Sequence, residues 1–281
     1  MDQAVVYLHC LIDLHSYMKL RLFQADAFSD KLFRGNPAAV VLMNEWIPVP
    51  LMQQIASENN LSETAFLVPG EGLYNLRWFT PTTEVALCGH ATLAAAHVLF
   101  RHMGYKDARI LFHTLSGMLS VTLENELLYL DFPVTRLQSI PTPKGLTAGL
   151  GLRPYEVLHG GEYLVAMYKD ENEIQKIAPD FMVLARLPYL GICVTAAGSG
   201  EVDFVSRFFA PAVGIPEDPV TGSVHTALIP YWSARLNKKR LLARQVSLRG
   251  GSLHCEFLDD RVKIGGMAVT YLEGTITTDN I

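Results

Sequence analysis

No two cysteines of this chain form a C-x-x-C pair. Cys10, Cys88, Cys193 and Cys255 are scattered, which argues against a zinc site or a dense disulfide framework and for a reducing cytoplasm. Basic charge is also scarce: 23 Lys and Arg against 28 Asp and Glu give a formal net charge of −5 and a pI near 6.0. No nucleic-acid partner is therefore expected, since phosphate binding needs a basic surface. The one basic cluster, Lys238-Lys239-Arg240, reads as a solvated helix end or turn. The apolar patch from Val5 to Leu14 is too short to span a bilayer. The N-terminus also has Asp2 and Asp13 where a signal peptide wants positive charge, so neither membrane insertion nor secretion is expected. Gly160-Gly161 and Gly198-Ser199-Gly200 make no phosphate-binding or dinucleotide pattern, and Ser223 lacks the G-x-S-x-G elbow. His90 and His97 would lie about 10.5 Å apart along a helix rising ~1.5 Å per residue, too far to share one metal ion.

What the chain does have is a folded protein's composition, 49% hydrophobic and 18% charged over 281 residues, enough for one large or two medium domains. It also says one thing twice. Arg77-Trp78-Phe79-Thr80-Pro81 leads into Cys88-Gly89-His90-Ala91-Thr92, and Arg207-Phe208-Phe209-Ala210-Pro211 leads into Thr221-Gly222-Ser223-Val224-His225. The two glycines stand nearly half a chain apart, so a duplicated half explains them. Two facing halves imply a site between them. In each copy a strand feeds the start of a helix, where free backbone N–H groups attract an anion. Either glycine alone could simply ease a turn; paired, with matching flanks, they point to a carboxylate gripped by two helix starts.

Along the chain, residues 1–17 look foreign to the rest of the sequence and read as an N-terminal extension, with Met18 as the expected start. An edge strand comes next over Lys19 to Gln24, then a turn at Phe33 to Pro37, a strand from Ala38 to Met43 and a helix from Pro50 to Asn59. Further strands are expected at Leu73 to Phe79, Ala108 to Leu111, Met118 to Leu123 and Leu128 to Phe132, around a helix running from about His90 to Phe100. Pro133 to Pro143 is the linker candidate. The second half repeats the plan from Val157, through Cys193 to Ala196 and Phe204 to Phe209, to a helix from Ser223. Its closing strands are expected at Val246 to Leu248, Leu253 to Phe257, Val262 to Gly265 and Ala268 to Leu272. The fold class is α+β, with two pseudo-symmetric lobes, 18–134 and 135–281, each a mostly antiparallel sheet or barrel wrapped around a central helix. The last strand is free to pack back on the first lobe.

Glu63, His90, Asp218 and Ser223 are the polar groups expected in the cleft. Their plainer readings are a helix cap for Asp218, a buried hydrogen-bonded histidine for His90 and a first-turn hydroxyl for Ser223.

Asp26-Ala27-Phe28, Phe33-Arg34-Gly35-Asn36-Pro37-Ala38, Asn60-Leu61-Ser62-Glu63-Thr64-Ala65-Phe66, Cys88-Gly89-His90-Ala91-Thr92 and Glu217-Asp218-Pro219-Val220-Thr221-Gly222-Ser223 together resemble the phenazine biosynthesis PhzF-like family. The closing Val262-Lys263-Ile264-Gly265-Gly266 fits as well, so the resemblance covers nearly everything after residue 17. It implies the diaminopimelate epimerase-like fold, an active site between the lobes, no cofactor, no metal and a homodimer. Glu63 then matches the family's proton-shuttling glutamate, His90, Asp218 and Ser223 match residues that hold and polarise substrate, and Gly89 and Gly222 match the helix-start glycines. Racemases of the same fold use one cysteine from each lobe. Here Cys88 stands before Gly89, but Thr221 stands before Gly222, and a hydroxyl is too weak an acid–base group to replace a thiolate. The expected ligand contacts are Gly89, Gly222, Cys88 and Thr221. The carboxylate that the family carries two residues before the cysteine is Ala86 here.

The expected function is a cofactor-independent isomerase of a small carboxylate-bearing metabolite. Glu63 removes and returns a C–H proton, provided burial raises its pKa enough for both steps. The alternatives are an amino-acid or hydroxy-acid epimerase or racemase using Cys88 and Glu63, and a non-catalytic binding protein for a small carboxylate.

Overall fold

The computed structural model describes residues 17–279; the stretch 1–16, most of the expected extension, lies outside them. The first half runs β1 (Tyr17–Ala27), β2 (Asn36–Leu42), α1 (Val49–Asn59), β3 (Glu63–Pro69), β4 (Tyr74–Phe79), β5 (Glu84–Val85), α2 (Gly89–His102), β6 (Arg109–Thr114), β7 (Gly117–Glu124) and β8 (Leu127–Pro133). The second half runs β9 (Gln138–Ser139), α3 (Leu146–Leu150), β10 (Glu156–Gly160), β11 (Tyr163–Met167), α4 (Glu171–Lys176), α5 (Phe181–Leu184), β12 (Gly191–Ala197), β13 (Phe204–Ala210), β14 (Ile215–Asp218), α6 (Gly222–Leu236), β15 (Arg240–Gln245), β16 (Gly251–Leu258) and β17 (Arg261–Gly266). A final strand, β18 (Ala268–Asp279), closes the chain.

The pairings of the halves are the same. β1 meets β2 antiparallel, β2 meets β3 parallel, β3 meets β4 antiparallel and β4 meets β6 parallel, before β7 and β8 add antiparallel. β10, β11, β12, β13, β15, β16 and β17 repeat that sequence of orientations. The sets join where β8 pairs antiparallel with β17, Leu130 opposite Ile264. One further strand follows each set: β9, after β8, pairs with β10, while β18, after β17, pairs back with β1 of the first half. The architecture is α+β and mostly antiparallel, as expected.

Each half's strands wrap a helix that is buried over most of its length, as a largely apolar helix must be. In α2 every residue from His90 to Leu99 is buried, and full burial of Leu93 or Leu99 contributes roughly 1.5–3 kcal/mol each. Pro230 inside α6 lacks the N–H that would close on Thr226. The freed Thr226 carbonyl instead accepts the Thr135 amide at 3.2 Å, tying the Pro133–Pro143 connection to the helix. No described helix is long and apolar enough to cross a membrane.

One expected strand is misplaced. Val246 to Leu248 lies outside any strand and leads into a bend, with Leu248 95% exposed, and the strand is β15, immediately before it. Leu241, Ala243 and Gln245 face inward while the intervening residues are more exposed. The basic cluster obscured this alternation, because Arg240 already opens the strand that Lys238 and Lys239 precede.

Candidate active site

Strand register shows which residues of the halves are equivalent. Thr64 lies opposite Phe79 in the first half, and Ile192 opposite Phe209 in the second. Since Arg77-Trp78-Phe79 repeats as Arg207-Phe208-Phe209, Glu63 corresponds to Gly191. Trp78 lies opposite Val85 and Phe208 opposite Asp218, so Asp218 corresponds to Val85. Each half therefore contributes one acid at a position where the other half has none. A side chain at Gly191 is blocked: a Cβ there would sit 2.1 Å from the Phe208 ring.

The repeat's internal brace is also doubled. Arg77 grips Glu84 through Nε and an NH2 group at 2.6 and 2.7 Å, and Arg207 grips Glu217 at 2.8 and 3.0 Å. These bidentate pairs fix the turn that carries each chain from strand to helix. The helix starts then meet at the centre of the molecule: a Cβ on Gly89 would lie 3.9 Å from the Gly222 Cα. Neither helix has an acidic first turn or a side-chain cap. Most first-turn amides thus keep their pull on an anion; the Thr221 amide just before α6 donates to Gln245 Oε1 at 2.9 Å.

The structure draws Glu63, Cys88, His90 and Asp218 into one network through Asn36, while Ser223 stands on a separate contact. Glu63, first in β3, places Oε2 3.1 Å from His90 Nε2, with side chains 13% and 8% exposed. The contact is charge-to-charge rather than an aligned hydrogen bond, since both atoms lack a hydrogen-bond partner. Cys88 Sγ lies 3.5 Å from His90 Nδ1. Asp218, the last residue of β14, accepts the Asn36 side-chain amide at 2.8 Å on Oδ1 and the Thr221 hydroxyl on Oδ2. Ser223 meets the Tyr163 hydroxyl at 3.1 Å. Three of these partners were given no role from sequence. Asn36 sits 3.3 Å from His90 Nδ1 and also donates to the Val220 carbonyl at 2.9 Å, bridging the halves. Gln245 donates to the Asp218 carbonyl at 2.7 Å. Asn36 had a signal, its place between Gly35 and Pro37; Tyr163 and Gln245 had none, because only folding brings them close.

The charge states differ from the expectation for Glu63. Burial pushes its carboxyl up, but the facing His90, chiefly through its charge, and the nearby Cys88 thiol outweigh this and hold it below the ordinary value. Burial likewise works against the His90 charge, yet the facing Cys88 and, after it, the Glu63 carboxylate hold the ring well above its usual value. Burial and the Glu63 charge push the Cys88 thiol up to about 11, so it stays protonated at neutral pH. For Asp218 burial wins over the His90 charge and the Thr221 hydroxyl, and its carboxyl is raised to about 6.

Glu63, Cys88 and His90 also place one donor atom each within 4.8 Å of one another, the one such group among the described residues. That donor set suits a zinc-type ion. A surface cavity of about 390 Å³ lined by Tyr155, Tyr168, Lys169, Ala197, Trp232 and Arg235 includes none of the site residues. Convergent acids and helix starts, rather than cavity size, mark the functional centre.

The fold and its known relatives define the class: an isomerase built from two halves of like topology. Residues 25–274 match the family described as "Phenazine biosynthesis-like protein", and the chain belongs to it. A Pseudomonas aeruginosa protein named as an uncharacterized isomerase is 50% identical over 259 residues, covering 92% of this chain and 99% of that one. A crystal structure of a PhzF-family phenazine biosynthesis protein from Enterococcus faecalis superposes with a TM-score of 0.90 at 48% identity, over 92% of this chain and 99% of the other. A predicted epimerase from P. aeruginosa shares the fold, with a TM-score of 0.70 at 21% identity, covering 92% and 99%.

Proposed function

We propose that this protein is a cofactor-independent isomerase of a small carboxylate-bearing metabolite, with Glu63 as the group that removes and returns a C–H proton. The observation that carries the reading is the register: Glu63 has no counterpart, because Gly191 occupies its equivalent position. One base without a mirror-image partner suits a proton moved between two carbons of one face. A two-base racemase would need an acid–base group on each side.

Before substrate binds, Glu63 is ionised, the state a base needs. A substrate that draws His90 away removes the charge depressing the carboxyl. Burial then raises its pKa and fits it to give the proton back. The abutting helix starts at Gly89 and Gly222 receive the substrate carboxylate or a developing enolate. Asp218 and His90 orient an amine or hydroxyl, and Ser223, held by Tyr163, adds a hydrogen bond. Cys88 and Thr221 line the site beside the glycines. We place the enzyme in the cytoplasm as a homodimer; the free cysteines Cys88, Cys193 and Cys255 suit a reducing compartment.

The test is deuterium incorporation from heavy water into a panel of cyclic and acyclic amino and hydroxy acids, with the products separated by constitution and by chirality. A rearranged product carrying solvent label supports isomerisation; a racemate of unchanged constitution overturns it in favour of epimerisation. Binding of a panel acid without exchange or product leaves a binding protein. Exhaustive treatment with a chelator is expected to leave turnover unchanged; loss restored by zinc would assign a metal to Glu63, Cys88 and His90.

Cys88→Ser separates the acid–base alternatives. A thiol raised to about 11 is a poor base at neutral pH, so turnover should stay within about tenfold of wild type, well inside the span of a true general base. A collapse matching that of a Glu63 variant would make Cys88 the second base.

A further inference from the structure

Asn36 touches groups of both halves inside the site, and the loop delivering it is held from outside. Residues 28–35, between β1 and β2, contain three left-handed residues, Phe28, Phe33 and Gly35. The conformation is rare for a bulky side chain and needs its surroundings to enforce it. The enforcement comes from the other half. Arg249, in the loop between β15 and β16, donates through Nε to the Gly35 carbonyl at 2.8 Å. One of its NH2 groups donates to Asp26 Oδ1 at 2.7 Å and to the Arg34 carbonyl at 3.0 Å. Asp26 is 2% exposed, and its other oxygen accepts the Phe33 amide at 2.8 Å. The Gly35 amide donates to the Gly250 carbonyl at 2.7 Å, and the Ser252 amide to the Phe28 carbonyl at 3.0 Å.

We propose that Arg249 and Asp26 are positioning residues: their clasp locks the β1–β2 loop of one half onto the β15–β16 loop of the other and so holds the Asn36 amide on Asp218 and Val220. Asn36 directly follows the residue the clasp grips hardest, and it lies opposite Ala27, next to Asp26, in the β1–β2 register. A planar guanidinium is what the geometry requires, since three acceptors in different directions are met by one fork. The clasp touches no reacting atom; it acts through the amide.

The proposal rests on the reading of this site as catalytic only for its effect on turnover, so its decisive test does not use turnover. The Asp218 carboxyl is followed by carbon-13 NMR titration in the ligand-free protein, assigned with Asp218→Asn. It faces Asn36 and Thr221, with His90, Glu63 and Tyr163 as the neighbouring titratable groups, and wild type is expected near 6. Arg249→Met should free the loop, remove the Asn36 donation to the charged form and raise the midpoint by about one pH unit. Asn36→Ala should raise it similarly, and the double variant should add nothing further, because both act on one contact. An unchanged midpoint in a folded Arg249→Met protein, or additive shifts, overturns the proposal. Should that variant fail to fold, Arg249→Lys decides: it keeps the charge but cannot span the three acceptors, so the midpoint must still rise. Proton exchange into substrate should fall in step with the midpoint. If wild type exchanges no panel compound, the catalytic reading fails while the titration still judges the clasp.

Discussion

Glu63→Gln should abolish proton exchange while leaving the fold intact. The variant keeps the shape of the side chain at the head of β3 and removes only the base. General bases contribute roughly 10²–10⁴-fold, and here no equivalent group on the other half can take over, since Gly191 stands there and the Phe208 ring fills the space beside it. Turnover should therefore fall by about 10³-fold or more, measured by deuterium incorporation. Residual exchange within tenfold of wild type would rule Glu63 out as the base. The variant also carries a stability signature with a defined sign. Glu63 is held below its ordinary value in the folded chain, so its ionisation stabilises the fold at pH above the unfolded-state pKa. That contribution is lost as pH falls through the folded-state value. Denaturant unfolding followed from neutral to acid pH should show less acid sensitivity in Glu63→Gln than in wild type. An identical pH dependence would mean that His90 does not charge-pair with Glu63 in solution.

Gly35→Ala is expected to produce the largest loss of stability among single methyl additions at glycines of the site. Its φ of +68° already disfavours a side chain, and the added Cβ would lie 2.2 Å from the Ala27 carbonyl oxygen and 3.1 Å from its carbon. Those are backbone atoms of β1 and cannot rotate aside. The left-handed conformation alone costs an alanine roughly 1–2 kcal/mol. Shifting the turn to relieve the contact would weaken the bonds to Gly250 and Arg249, at about 1 kcal/mol apiece. The expected total is about 3 kcal/mol, a fall in Tm of roughly 6–12 °C for a chain of this size. Gly72→Ala is the control, since its φ is +70° and nothing lies within 4 Å of the added atom; it should show the conformational cost alone. Equal melting temperatures for the two variants would show that the loop yields to the methyl group. Because Asn36 follows directly, Gly35→Ala should also impair the site out of proportion to the folded fraction.

Both predictions lean on residues that differ in how legible they were. His90 and Ser223 could be nominated from sequence because each directly follows a glycine at a helix start that recurs in both halves, whereas Glu63 was marked by its apolar and small polar neighbours and the family motif, and Asp218 by its place before the second glycine. The duplication made the central helices legible too, since a run such as Ala91 to Leu99 has no polar face and must be buried whichever way it points. Strand register was not legible from the same signals. Val246 to Leu248 looked like a strand by its apolar residues, whereas β15 alternates beneath a basic cluster, and only pairing with β13 and β16 settles which stretch lies in the sheet.

The sequence by itself determined the family, the doubled α+β plan and which residue types approach the cleft, because these arise from local patterns that any folded form of the chain must honour. Tertiary structure decided what those residues can do. The direction of the Glu63 pKa depends on His90 and Cys88, from a separate element, outweighing burial. The absence of a counterpart to Glu63 in the second half depends on the register that sets it against Gly191. Asn36, Gln245, Tyr163 and the Arg249–Asp26 clasp join positions as much as 223 residues apart. Charge and hydrogen bonding act through distances in space, and those distances exist only once the two halves have folded together.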